Sequence, residues 1–120
     1  ILHFNGSAWS PSDSGVTDVL WDVWGSAADD VWAVGLNGAI LHFNGSSWAA
    51  SPSGVATDLY RVTGTSSSDI WVSGRHGVIL HYDGSSWSRS SSGTSHALYG
   101  LFSSPAGLFA VGEGGTVLHH

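Results

Sequence analysis

The chain has 120 residues, room for one compact domain. Gly (17) and Ser (22) make up about a third of it, but 42% hydrophobic residues and 7 Trp exclude a disordered tail. Only 10% of residues are charged, Lys is absent and the net charge is −6, which argues against an electrostatic nucleic-acid binder. There is no Cys, so disulfides, thiolate catalysis and Cys-ligated zinc are excluded. No apolar run approaches the roughly 20 residues of a membrane-spanning helix. The first residue is Ile1 rather than Met and no signal peptide is visible, so we expect a partial or processed chain.

Read in chain order, the sequence repeats. Ile1-Leu2-His3-Phe4-Asn5-Gly6-Ser7-Ala8-Trp9 returns as Ile40 to Trp48, and again as Ile79-Leu80-His81-Tyr82-Asp83-Gly84-Ser85-Ser86-Trp87. Val117-Leu118-His119 begins a fourth copy. The spacing is 39, 39 and then 38 residues, and the first two repeats agree at 19 of 39 positions. Leu20, Leu59 and Leu98 keep the phase, as do Trp21, Tyr60 and Tyr99. Asp30-Val31-Trp32 matches Asp69-Ile70-Trp71, with Gly107-Leu108-Phe109 as the third version.

Each repeat holds four short apolar runs. In the second repeat these are Leu59–Gly64, Asp69–Gly74, Val78–Tyr82 and Ser86–Ser90. Their Val, Ile, Leu, Trp and Tyr content predicts strands, and no stripe of helical period is long enough for a helix. Asn5-Gly6, Asn44-Gly45 and Asp83-Gly84 predict two-residue type I′ turns joining the third and fourth strands. Asp30 and Asp69 end Ser-rich loops and predict the turn between the first and second strands. Val31-Trp32-Ala33-Val34 is apolar on both faces, so the second strand is expected to be buried on both.

A four-stranded unit near 40 residues has the length of a β-propeller blade. The competing repeat fold, a parallel β-helix, has shorter coils and lacks regular tight hairpins. The motifs Asp-Val-Trp-Ala-Val-Gly (30–35) and Ile-Leu-His-Phe-Asn-Gly-Ser-Ser-Trp (40–48) resemble the blade repeat of bacterial propellers, often secreted or cell-surface proteins. Asp83-Gly84-Ser85-Ser86-Trp87 and its Asn counterparts are similar to the Asp-box of sialidase-type propellers. They depart from it in being one residue shorter and in carrying Asn twice. The resemblance covers essentially the whole chain. It implies an all-β fold and a secreted or cell-surface location, and it implies no function.

With strands lettered A to D from the axis outward, residues 1–18 supply the outer strands of a split blade. Residues 19–57 and 58–97 form two blades, and residues 98–120 supply the inner strands of the split one. Three blades cannot close a ring, since rings start at about four. Exposed strand edges and apolar faces drive association. The expected partner is therefore the chain itself, joined head to tail. A homodimer of six blades is favoured and a homotrimer of nine is the alternative. Val117–His119 duplicates Ile1–His3, so the two segments compete for one strand position and one of them is expected to be displaced.

Candidate sites are few. Trp9, Trp48 and Trp87 follow the hairpin turn, where exposed rings could stack on sugars or pack between blades. Asp18 and Asp58, with Ala97 in the third copy, stand at the entry to the first strand, suited to a sugar hydroxyl or to capping a loop. Glycans are thus a candidate partner, and a multivalent lectin with sites between blades is the alternative to an assembly module. His3, His42, His81 and His119 recur too far apart to share one metal ion, and are expected to be hydrogen-bonded inside the sheets. Trp21, Trp24, Trp32 and Trp71 are expected in the core. The three Arg (Arg61, Arg75, Arg89) and the single Glu113 do not supply the arginine triad of a sialidase or a defined carboxylate pair. No catalytic residue, metal site or cofactor is expected, and no enzyme activity.

Overall fold

The computed structural model describes all residues, 1–120, as thirteen strands without an α-helix. β1 (Leu2–Phe4) and β2 (Trp9–Pro11) form a separate antiparallel hairpin. A four-stranded meander follows: β3 (Leu20–Ala27), β4 (Asp30–Gly35), β5 (Ile40–Phe43) and β6 (Trp48–Ala50). A second meander has β7 (Leu59–Ser66), β8 (Asp69–Gly74), β9 (Ile79–Tyr82) and β10 (Trp87–Ser90). The last sheet has three strands, β11 (Leu98–Ser104), β12 (Gly107–Gly112) and β13 (Val117–His119). Every pairing is antiparallel between sequence neighbours, as short connections dictate.

Of the three expected four-stranded blades, two are whole; the rest of the chain is the three-stranded sheet β11–β13 and the separate hairpin β1–β2. The β1–β2 hairpin makes no ladder with β11–β13. The position next to β12 is held by β13, with Phe109 opposite His119, Ala110 opposite Leu118 and Val111 opposite Val117.

The inner strands share an irregularity. Pairing slips between Leu20 and Asp22, between Leu59 and Arg61, and between Leu98 and Gly100. A bulge at one repeat position bends each inner strand in the same way and increases its twist. The inner strands β3, β7 and β11 pack side by side, so successive blades fan out from one edge.

Two local expectations are corrected. The Asn-Gly hairpins are not two-residue type I′ turns, because Asn5, Asn44 and Asp83 keep negative φ while only the glycines are positive. Each is a four-residue loop. The carboxamide oxygen of Asn5 accepts from the N–H groups of Ser7 (2.9 Å) and Ala8 (3.0 Å), and Asn44 and Asp83 do the same in their copies. The side chain satisfies the loop from within, so the wider turn competes with the tight one.

Three single 3-10 turns, which the strand pattern did not predict, join the second and third strands at Leu36–Gly38, Arg75–Gly77 and Glu113–Gly115. Their middle residues, Asn37, His76 and Gly114, lie in the left-handed region. The next residue is Gly with positive φ each time. At Gly77 (φ +74) a Cβ would stand 2.1 Å from the Thr94 carbonyl oxygen.

The core lies between blades rather than inside one. Trp32, Val34 and Ile40 of the first meander meet Leu59, Val62, Ile70, Val72, Val78 and Leu80 of the second. β4 is buried along most of its length, as its two apolar faces require. A smaller cluster of Ile79, Leu98 and Ala110 joins the second meander to the last sheet. Polar ties cross the same boundaries. Asp22 accepts from the Val62 N–H (3.0 Å), and the buried Ser73 donates to the Leu98 carbonyl (3.3 Å).

A glycine test separates backbone strain from crowding. Gly15 has nearly the same φ (+76) as Gly77, but a methyl group added there would meet nothing within 4 Å. Gly77→Ala should cost about 2 kcal/mol or more and Gly15→Ala about 1 kcal/mol, read from urea unfolding midpoints. Equal shifts would show that the approach of Thr94 does not constrain the fold.

Candidate functional site

The recurring histidines close a local network on the second and third strands. Trp32 and His42 face each other across β4 and β5 in register. The Asp30 carboxylate accepts from the Trp32 indole N–H (3.1 Å), and His42 Nε2 lies 2.8 Å from the same oxygen. The imidazole also lies over the indole, with centroids 4.2 Å apart. The second meander repeats this with Asp69, Trp71 and His81, at 3.0 and 2.8 Å and a 4.1 Å stack.

The hydroxyls of Ser26 and Thr65 donate to the other carboxylate oxygen of Asp30 and Asp69. The hydroxyl and the imidazole thus meet on the carboxylate and not on each other. That geometry ties strands together and does not present Ser26 to a base. In the third copy the carboxylate is lost, because Gly107 replaces it. There His119 merely stacks on Phe109 at 4.3 Å. His3 lies on β1, with no second strand beside it other than β2.

Burial tends to raise the pKa of Asp30, but the hydrogen bonds from Ser26, His42 and Trp32 together hold it below the ordinary carboxylate range. Asp69 is lowered chiefly by the Thr65 hydrogen bond, against burial and with help from His81 and Trp71.

Of the sequence-predicted candidates, Asp18 and Trp48 line one cleft, while Trp9, Trp87 and Asp58 lie away from it. Trp48 and Trp87 are half-buried between blades, their indole N–H groups donating to Ser12 (3.1 Å) and Ser51 (3.2 Å) of the preceding unit. Trp87 also meets Trp32 edge-on at 5.5 Å. Trp9, at the same repeat position, has no preceding blade and is 67% exposed.

Asp58 caps a neighbouring turn by accepting from the Asn37 N–H (3.0 Å). Asp18 is exposed and is not its counterpart. Gly35 closes on the Val19 carbonyl, Gly74 on that of Asp58 and Gly112 on that of Ala97, so Val19 holds the equivalent position. Of the four tryptophans expected in the core, Trp32 is buried and Trp24 and Trp71 are half-buried. Trp21 is 49% exposed, its ring beside Tyr60 of β7 (6.0 Å) rather than in the core.

Apart from Asp18 and Trp48, the residues with the most to offer are ones that pattern reading did not single out as a site. Two apolar faces stand open, one at each end of the row of blades. At the N-terminal end a cleft of about 650 Å³ separates the β1–β2 hairpin from the first meander, with Leu2, Val23, Ala33, Phe43 and Trp48 among its walls. At the other end Phe102, Phe109 and Val111 project from the last sheet, Phe102 with 63% exposure. A smaller cavity of about 130 Å³ lies beside Trp71, Ser90, Leu118 and His120.

A comparison with solved structures gives the architecture. YCF48 from Cyanidioschyzon merolae superposes with a TM-score of 0.77 at 22% identity, over 94% of this chain and 40% of that one. This chain is a β-propeller fragment. It spans about two-fifths of the propeller protein it resembles. No family model and no curated protein matches the sequence.

The carboxylate network makes the propeller fragment acid-sensitive in a defined sense. The folded-state pKa values of Asp30 and Asp69 lie below their unfolded values, so their contribution is complete above the unfolded value, about 3.9. It disappears as pH falls through the lower, folded value. D30N/D69N should lower Tm by several degrees at neutral pH and flatten the loss of Tm below about pH 4. Parallel Tm–pH curves for the two proteins would remove these carboxylates as the cause.

Proposed function

We propose that the chain is a non-enzymatic repeat module that closes a propeller ring with further copies of itself. One observation carries this reading. The two open faces have, inside the same chain, a filled counterpart. Trp32 packs on Tyr82 (4.9 Å) and Trp87 (5.5 Å) where the first blade meets the second.

Moving that contact forward by two repeats places Phe109 against Phe43 and Trp48 of a second copy. Phe43 and Trp48 line the N-terminal cleft, which lacks the inner strands of a blade. β11 and β12 of the first copy would supply those strands. The same step forward by one repeat places Trp71 against Phe4 and Trp9 of the second copy, both exposed in the single chain. Each copy thus offers the surface that the other lacks, in the head-to-tail manner of a heterologous interface. Leaving such faces in water forgoes about 25 cal/mol for each Å² of apolar surface they would bury.

Two copies bring six blades, within the usual four to eight, and this is the closure we favour. Three copies would bring nine. The tryptophan row supports assembly over sugar binding, because Trp48 and Trp87 are committed to contacts between blades.

Light scattering after size exclusion tests the proposal. The expected mass is twice that of the 12.5 kDa chain, and three times that mass would give the nine-bladed ring. Phe109→Asp should return the mass to that of one chain while the far-UV spectrum stays unchanged. A wild-type protein that remains monomeric up to high micromolar concentration overturns the reading.

A further inference from the structure

The last strand occupies the place that ring closure assigns to the first. In the whole blades Ile40-Leu41-His42 pairs with Val34, Ala33 and Trp32, and Ile79-Leu80-His81 pairs with Ser73, Val72 and Trp71. Carried to the split blade, this register sets Ile1-Leu2-His3 of a second copy opposite Val111, Ala110 and Phe109. In the single chain those three residues already face Val117, Leu118 and His119. His120 exchanges two backbone hydrogen bonds with Leu108 (2.8 and 3.3 Å), and Leu118 packs on the Ile79, Leu98 and Ala110 cluster.

We infer that β13 is a resident substitute for β1 of a second copy, and that the seam forms by strand exchange on β12. The occupant that replaces β13 is the Leu2–Phe4 strand of that copy. This inference rests on the proposed ring.

Two features make β13 the strand that leaves. First, it lacks the lock of its equivalents. His42 and His81 are held by Asp30 and Asp69, whereas His119 has Gly107 at the carboxylate position and keeps only its stack on Phe109. Second, β13 has no strand paired on its outer edge, while β1 arrives with β2 already attached. β2 brings Trp9. Trp48 donates to Ser12 and Trp87 to Ser51, so the same step in the repeat gives Trp9 the hydroxyl of Ser90 on the other copy. Ser90 lines the small cavity beside Trp71 and Leu118, where the outer strand of a whole blade would lie. Backbone pairing is thus exchanged like for like, and the indole contacts of β2 are gained.

The absence of Cys allows a direct test. Val111 and Val117 form a pair without backbone hydrogen bonds between them, flanked by the bond from the Gly112 N–H to the Thr116 carbonyl. Side chains approach most closely at such a position. V111C/V117C, a near-isosteric change that keeps Phe109 and the open face apolar, fixes β13 on β12 once oxidised. The oxidised protein should stay monomeric and the reduced one should assemble.

In the full chain, Leu118→Asp should loosen β13 without touching the seam and raise the association rate about tenfold. Leu2→Asp should abolish assembly and leave the monomer's Tm unchanged. Locked protein that assembles as readily as reduced protein overturns strand exchange while leaving the ring intact, as does an L118D variant that associates no faster. If V111C/V117C is monomeric in both redox states, the L118D rate decides. A wild type that stays monomeric up to high micromolar concentration would overturn the ring and the exchange with it.

Discussion

A sheet that is apolar on both faces has no stable life alone. That constraint governs this molecule. β8 is buried between the first meander and the last sheet, β4 is buried against the second meander, and the main cluster of buried side chains straddles the boundary between the two whole meanders. Within a blade, backbone ladders hold neighbouring strands. Between blades, side-chain burial supplies almost all of the stabilisation, at about 1.5–3 kcal/mol for each fully buried Val, Leu or Ile. The stability of any blade is therefore a property of its neighbours, as in other repeat folds. The terminal units have one neighbour each, and so Val23, Phe102, Phe109 and Val111 remain in water.

The polar groups follow from the same arrangement. A Trp between blades must place its indole N–H, and a buried donor without a partner costs about 1–3 kcal/mol. Trp32 and Trp71 use a carboxylate two residues earlier, whereas Trp48 and Trp87 use a Ser from the unit before. In the third copy Phe109 replaces the Trp and Gly107 replaces the Asp. Phe has no N–H to satisfy, so the carboxylate loses one of its purposes, and the imidazole of His119 is left with stacking alone. The repeat position changes as a unit.

Much of this is legible in the sequence. The repeat period, the four strands and the double burial of the second strand rest on alternation and on β-branched and aromatic content, which report directly on a buried sheet. The wider hairpin loops escape such a reading because Asn-Gly favours the I′ turn only when the Asn side chain has nothing better to accept. Here two N–H groups follow within three residues of Asn5. The 3-10 turns carry a signal, the Gly-x-x-Gly spacing of Gly35 to Gly38, Gly74 to Gly77 and Gly112 to Gly115. Trp21 is expected in the core only because its strand is. Trp21 is the unpaired residue of the bulge between Leu20 and Asp22, and its ring turns beside Tyr60 of the next inner strand instead of into the core. The offset of Asp18 from Asp58 is a single residue. Only the close approach of each blade's Gly to Val19, Asp58 or Ala97 fixes the alignment.

Near-identical repeats carry a consequence for specificity. When Ile-Leu-His and Val-Leu-His can lie in one register, neither hydrogen bonding nor apolar pairing chooses strongly between them. Choice passes to what lies beyond the strand. For the whole blades that is the Asp–His lock and the Trp–Ser contact, and both are present. For β13 both are absent. A propeller built from similar blades therefore needs few residues to decide which strand belongs at a seam. They are not the residues that define the blade, but those that differ between its copies, here Gly107 where the other copies carry Asp.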